Sequence, residues 1–246
     1  MNPHLQKYTD ILLLQNEEEE DGNSATTTTS RVFVPLCGKS VDLAYLSSHP
    51  KVSHVVGIDI VRTAAEEFAA EHPELLLEEE KVKINECANV EGNVVEKECS
   101  SQSTISKFNG KSLTFLIGDL FAVPTEDRFD SIYDRASMVA IHPSLREDYV
   151  TLMGKLLQPG GSILLVSLDR RETTTDEAKK DGPPFSINEH EIRQLYESMS
   201  WVESVTKLEE VNDLTSDADR ERWEKKGVLE LYEIVFLIRK KRLEAN

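Results

Sequence analysis

Arg31-Val32-Phe33-Val34-Pro35-Leu36-Cys37-Gly38-Lys39-Ser40-Val41-Asp42-Leu43 runs from a strand through a turn into a helix. Val32 to Leu36 is an uncharged β-branched and aromatic run, the composition of a strand covered on both faces in a parallel sheet. Gly38 permits a turn that a side chain would obstruct, and Ser40 can cap a helix carrying Val41, Leu43, Ala44 and Leu46. In an open α/β sheet, ligands sit at the carboxyl ends of the strands, and a first strand followed by a glycine turn is the usual floor of that crevice. Neither a P-loop nor G-x-G-x-x-G is present, so a nucleotide held here offers no polyphosphate.

The totals narrow the partners. A chain of 246 residues with 39% hydrophobic content can bury a sizeable core as a single domain over 1–246. The 28 basic and 45 acidic residues leave a formal charge of -17, which repels a nucleic-acid backbone or an anionic membrane and favours a small-molecule partner. Cys37, Cys87 and Cys99 form an odd, unpatterned set, which argues against both a disulfide framework and a metal site. No basic-then-apolar leader opens the chain and no apolar run approaches the roughly 20 residues of a membrane span, so the expectation is a soluble cytoplasmic protein.

Leu5, Tyr8, Ile11, Leu12 and Leu13 recur at helical spacing and predict a short amphipathic helix against the sheet. Residues 17–30, acidic and then threonine-rich, read as a mobile linker. His54 to Ile60 is a second strand, ending in Asp59. A carboxylate at that tip, roughly 20 residues beyond a glycine turn, suits the ribose hydroxyls of a nucleoside; it could equally cap the helix with Ala64, Ala65, Phe68 and Ala69. Periodicity is lost over 73–110, which reads as a polar insertion. Leu113 to Ile117 is a third strand leading into Gly118-Asp119-Leu120-Phe121. Asp119 could accept an adenine amino group with Leu120 and Phe121 as walls, or form an Asx turn.

Phe129 to Asp134 is a fourth strand, and it delivers Arg135 into the crevice. A guanidinium that does not deprotonate can hold an anion there, or make a structural ion pair with Asp134 or Asp130. Ser144 and Glu147 have the spacing of a capping box for a helix through Leu157, Pro159-Gly160-Gly161 stops it, and Ser162 to Leu168 is a fifth strand. A polar loop from Asp169 to Asp181 leads to Gly182-Pro183-Pro184-Phe185, either a rigid wall at a pocket mouth or punctuation before the helix near Asn188. Two further strands, Trp201 to Leu208 and Leu229 to Ile238, are linked by a charged stretch with Arg220, Arg222 and Trp223 and most simply pair antiparallel. The predicted fold is α/β: five parallel strands with right-handed crossovers, a C-terminal antiparallel hairpin, and helices on both faces. That layout is shared by the Rossmann-like class I methyltransferases that use S-adenosylmethionine.

Four motifs in order, Arg31 to Ser40, Gly57-Ile58-Asp59-Ile60, Asp134 to Ile141 and Gly182-Pro183-Pro184-Phe185, closely resemble the thiopurine S-methyltransferase family, as does the region of Trp223, Gly227 and Tyr232-Glu233. The resemblance implies S-adenosyl-L-methionine as cofactor, with Leu36, Gly38 and Asp59 in its site, Asp119 and Leu120 flanking the adenine, and Arg135 beside both cofactor and substrate as the catalytic candidate. It places Pro183, Pro184 and Arg222 near the acceptor pocket, and it implies no metal. The implied reaction is direct methyl displacement by a small thiol, selenol or heteroaromatic thiol, in a monomeric enzyme of detoxification. Such family members usually begin with a tryptophan-rich lid, and this chain starts after it. That departure points to a wrong gene start, another segment serving as lid, or a cofactor-binding or interaction protein with little turnover. Asp59 stands where glutamate is often found. A halide or a selenium or tellurium species is the alternative acceptor, and small buried packing is the reading of Cys37.

Overall fold

Leu5, Tyr8, Leu12 and Leu13 make one apolar stripe on helix α1 (Pro3–Leu13), and all four are buried. The computed structural model describes residues 1–13, 29–80 and 105–243. Expectations for 17–28 and 81–104, including Cys87 and Cys99, therefore lie outside the described residues. Strand β1 (Ser30–Val34) turns at Gly38 into α2 (Val41–Ser48), whose N-cap Ser40 accepts the Asp42 N–H as its sequence position predicts. The chain continues through β2 (Val52–Asp59), α3 (Arg62–Glu71), β3 (Glu78–Glu80), β4 (Ser106–Asn109), β5 (Leu113–Ile117) and β6 (Phe129–Arg135). It then forms α4 (Arg146–Leu156), β7 (Leu157–Thr173), α5 (Asp176–Lys180), α6 (Glu189–Glu197), β8 (Val202–Asn212), α7 (Asp217–Glu224) and β9 (Val228–Lys240).

These strands join one sheet in the order β3-β4-β5-β2-β1-β6-β7-β9-β8. The five central strands, β5, β2, β1, β6 and β7, are parallel, and β8 and β9 close one edge antiparallel. Helices cover both faces. Leu5, Leu43, Leu46 and Phe68 of α1 to α3 pack on Val32, Val55 and Phe115. Tyr149 and Met153 of α4, with Ile192 and Tyr196 of α6, pack on Phe33, Ile132 and Leu165 across the sheet. Most strand residues between the two helix layers are apolar because neither face meets water, and the buried exceptions, among them Ser131, Asp134 and Ser167, find hydrogen-bond partners inside the fold.

The structure departs from the sequence-based expectation in four places. The run read as a polar loop from Asp169 to Asp181 continues β7 to Thr173, paired with β9, and then holds α5, while Pro159-Gly160-Gly161 lies inside β7 rather than before it. The described flanks of the 73–110 insertion carry β3 and β4, an antiparallel pair that extends the sheet beyond β5. Three exposed glutamates pair there, and two of them have side-chain partners: Glu80 with the cross-strand Lys107 at 2.9 Å and Glu79 with Arg62 at 2.7 Å. The Ser144–Glu147 capping box does not form: Pro143 starts a single helical turn over Pro143–Leu145, His142 accepts the Ser144 N–H, and α4 begins only at Arg146. The charged stretch between the last two strands contains α7, yet β8 and β9 still pair as a hairpin.

Candidate active site

Strand order reverses between β1 and β6, and the chain leaves their carboxyl ends towards opposite faces of the sheet, which opens a crevice. A cleft of about 520 Å³ lies there, lined by Cys37, Lys39, Ser40 and Asp42 after β1, by Arg135 at the end of β6, and by Met1 to Pro3 ahead of α1. Leu36 and Gly38 adopt φ of 40° and 50°, and the turn between them is held from β2. Cys37 N–H donates to the Ile58 carbonyl at 2.9 Å, and Gly38 N–H to Asp59 Oδ2 at 2.9 Å. Asp59 Oδ1 accepts Val61 N–H at 2.9 Å. The carboxylate thus binds the tips of two strands together, and the N-cap of α3 is Val61, which makes no side-chain cap bond. Burial, with the Asp59 charge beside it, pushes the Cys37 thiol well above its usual pKa, so Cys37 is a protonated packing group.

Gly118 N–H donates to the Asp59 carbonyl at 3.0 Å and brings Asp119 alongside. Asp119 is exposed and accepts Phe121 N–H at 3.0 Å, an Asx turn. Of the two residues read as adenine walls, Leu120 turns into the core at 3% exposure while Phe121 is 40% exposed. Only the Phe121 ring reaches the surface.

The Arg135 side chain is exposed and makes no hydrogen bond or ion pair among the described residues. The two carboxylates that could have neutralised it are engaged elsewhere. Asp130 Oδ2 accepts Arg31 N–H at 2.8 Å. Asp134 is fully buried and accepts the Tyr149 hydroxyl at 2.7 Å and Met138 N–H at 3.1 Å; burial raises its pKa to about 6. The turn after β6 passes through Ala136 at φ 69°, and Ser137 Oγ donates to the Pro35 carbonyl at 2.6 Å, joining it to the turn after β1.

Gly182-Pro183-Pro184-Phe185, with both X-Pro peptides cis, lies over that turn. Phe185 N–H donates to the Val139 carbonyl at 2.6 Å and its ring meets His142 edge-on at 5.5 Å. Arg222 is exposed on α7, away from the lining of the cleft, and its neighbour Trp223 is buried. The structure therefore gathers Leu36, Gly38, Asp59, Asp119 and Arg135 at one end of the sheet, ties the proline segment through Phe185 to Val139 in the turn after β6, and leaves Arg222 apart.

Several buried polar residues at the site escape a sequence reading. Asp42, 3% exposed, accepts Asn2 N–H at 2.8 Å and the Tyr133 hydroxyl at 3.2 Å, which pins the start of α1 beside the cleft. Asp134 and Tyr149 form the buried pair described above. One signal for Asp134 was present: a carboxylate closing an otherwise covered strand, Ser131-Ile132-Tyr133-Asp134, must find donors inside the fold. Among the described residues, no three His, Cys, Asp or Glu side chains gather as metal ligands, and no helix is long and apolar enough to cross a membrane.

Comparison with known proteins adds lineage to this geometry. Residues 19–241 match the family model described as thiopurine S-methyltransferase. The thiopurine S-methyltransferase of Aliivibrio salmonicida is 36% identical over 209 residues, spanning 85% of this chain and 81% of that protein. That of Legionella pneumophila is 32% identical over 215 residues, with the same two coverages, 85% and 81%. Among solved structures, TehB from Haemophilus influenzae superposes with a TM-score of 0.56 at 14% identity over 98% of this chain and 63% of that one. YcgJ from Bacillus subtilis gives 0.56 at 12% identity over 88% and 93%. These likenesses show the fold. With the family model over most of its length and relatives above 30% identity, the chain belongs to the thiopurine S-methyltransferase family and is an S-adenosylmethionine-dependent methyltransferase.

Proposed function

We propose that the cleft between β1 and β6 holds S-adenosylmethionine, and that the acceptor is a small thiol, selenol or heteroaromatic thiol lying against Pro183 and Pro184. The Gly38 turn carries the reading. A Cβ added at Gly38 would meet no atom within 4 Å, so open space faces the main chain there, with Asp59 bound to the same residue. A nucleoside without phosphates asks for that close backbone approach and a carboxylate, not for a nest of amides. Asp59 uses one lone pair on each oxygen for Gly38 and Val61 and keeps further acceptor capacity for ribose hydroxyls. Asp119 serves the adenine amino group, the main chain at Leu36 and Leu120 borders the site, and Phe121 offers its ring.

Bound S-adenosylmethionine supplies a methyl group already activated on a sulfonium. What remains for the protein is placement, which can be worth about 7 to 11 kcal/mol, and exclusion of water. A heteroaromatic thiol reacts as its thiolate. Arg135, a cation without an ion pair among the described residues, lies on the rim of the cleft and is suited to hold that anion and the donor's carboxylate. The proline segment walls the acceptor, and Arg222, which lies apart from the cleft lining, has no part in this reading. The unpatterned cysteines fit a cytoplasmic setting, and the protein acts as a monomer in this reading.

Two measurements test it. Titration calorimetry is expected to register binding of both S-adenosylmethionine and its demethylated product; heat from neither ends the proposal. A radiolabelled methyl-transfer screen over 6-mercaptopurine, aryl thiols, selenite and iodide is expected to favour the aromatic thiols. In that assay Arg135→Ala should lower turnover by at least about tenfold, a transition-state loss near 1.4 kcal/mol, with an unchanged melting temperature. A collapse of the fold at intact donor affinity would make Arg135 structural.

A further inference from the structure

Arg170 lies on β7 at 3% exposure, with no carboxylate in ion-pair contact among the described residues. Its partners are main-chain carbonyls. One terminal nitrogen donates to the Ala178 carbonyl at 2.8 Å and to that of Asp181 at 2.6 Å, and the other donates to the Pro184 carbonyl at 2.6 Å. Its own main-chain N–H donates to Ser186 Oγ at 2.9 Å. Nε has no partner among the described residues. The guanidinium also stands 5.3 Å from the centre of the buried Trp223 ring on α7.

A buried guanidinium without a counter-ion is costly, and a planar fork of donors is spent well only where several acceptors must be fixed relative to one another. Here the acceptors come from successive points of the one segment that ends in the proline wall. Arg146, also buried, donates to the Ser186 carbonyl at 3.1 Å and closes the far end of the same segment. Arg170 is therefore the junction between the proline segment and the Trp223 ring of α7.

We propose that Arg170 is the positioning residue of the acceptor wall: it holds the Pro184 carbonyl and the Trp223 ring in one arrangement, and so sets acceptor affinity without touching acceptor or donor. The proposal rests on the reading of Pro183 and Pro184 as that wall. Its test compares Arg170→Gln, Arg170→Lys and Pro184→Ala in the full chain, with 6-mercaptopurine and 4-nitrothiophenol as acceptors. Arg170→Gln is expected to raise acceptor KM by about tenfold or more while kcat and the KM for S-adenosylmethionine stay within twofold, the signature of lost uniform binding. Arg170→Lys should recover part of that loss, because an ammonium keeps the charge but not the fork.

A parallel rise in both KM values, or loss of donor binding in both Arg170 variants, would make the residue a general stabiliser and overturn the proposal. An acceptor KM that moves in Pro184→Ala but not in Arg170→Gln overturns the proposal and leaves the wall standing. If it moves in Arg170→Gln alone, the route through the wall is wrong. If it moves in neither, or native enzyme turns over neither acceptor, the wall reading itself fails.

Discussion

Asp59 does two things with one carboxylate: it fastens the Gly38 turn to β2 and accepts the Val61 N–H ahead of α3, and in the proposed reading it also serves the ribose. Asp59→Ala should weaken S-adenosylmethionine binding by roughly 1.5 to 3 kcal/mol, the range for a hydrogen bond to a charged group, as read by calorimetry. Unchanged affinity would remove Asp59 from the cofactor site. Asp134 gives a pH signature. Burial raises its carboxyl to about 6, against about 4 in an unfolded chain, so the native state holds the proton more tightly. The resulting stability is fully present below pH 4 and is lost as pH rises through 6. Urea melts of Asp134→Asn and the native chain should show the variant gaining roughly 2 kcal/mol relative to native between pH 4 and pH 7; a constant difference would place the Asp134 titration elsewhere. At this scale the sequence was legible where chemistry and position coincide, as at Gly38, Asp59 and Arg135 on strand tips. It was silent where the direction of a side chain decides. Nothing in Asp169-Arg170-Arg171 tells which arginine turns inward, and the structure buries Arg170 while Arg171 pairs with Asp169 and Glu210.

Helix α1 is held at its first turn by His4, whose Nε2 lies 3.0 Å from Glu233 and whose Nδ1 lies 3.2 Å from Glu209. Lys7 and Tyr8 reach the same Glu209. Hydrogen bonding to Glu233, opposed by burial and aided by the charges of both glutamates, raises the His4 pKa above its ordinary 6.5. The contribution is present below that ordinary value and is lost as pH climbs through the raised one. His4→Gln is expected to cost about 1.5 kcal/mol at pH 6 and far less at pH 9, by urea unfolding; an equal cost at both would show that the charge is irrelevant. On the opposite face, Gly154 of α4 leaves no room for a methyl group beside the Trp201 indole. Gly154→Ala should destabilise by about 1 to 3 kcal/mol despite its better helix propensity. The major elements were legible because apolar runs and amphipathic stripes report burial directly. Strands β3 and β4 were not, since Glu78-Glu79-Glu80 shows no apolar alternation and the cross-strand pairing of Glu80 with Lys107 joins residues far apart in the chain.

Across the whole molecule, the parallel core and the closing hairpin follow from strand and helix alternation, whereas the order of strands in the sheet depends on crossovers that no local pattern records. The surplus of 45 acidic over 28 basic residues sets a self-repulsion that salt screens. Raising sodium chloride from about 10 mM to about 300 mM shortens the screening length several-fold and should raise the melting temperature by several degrees; a fall would mean that surface ion pairs outweigh the net charge. The attachment of α1 adds a matter of timing. His4 is 205 residues from Glu209 and 229 from Glu233. At roughly 5 to 20 residues per second, the ribosome delivers those partners about 10 to 45 s after the helix itself. The polar fastening of α1 is thus among the last contacts of this chain to form, after Leu5, Leu12 and Leu13 already have their apolar partners on β1, α2, β6 and β7, so the helix can settle on the sheet before His4 locks it.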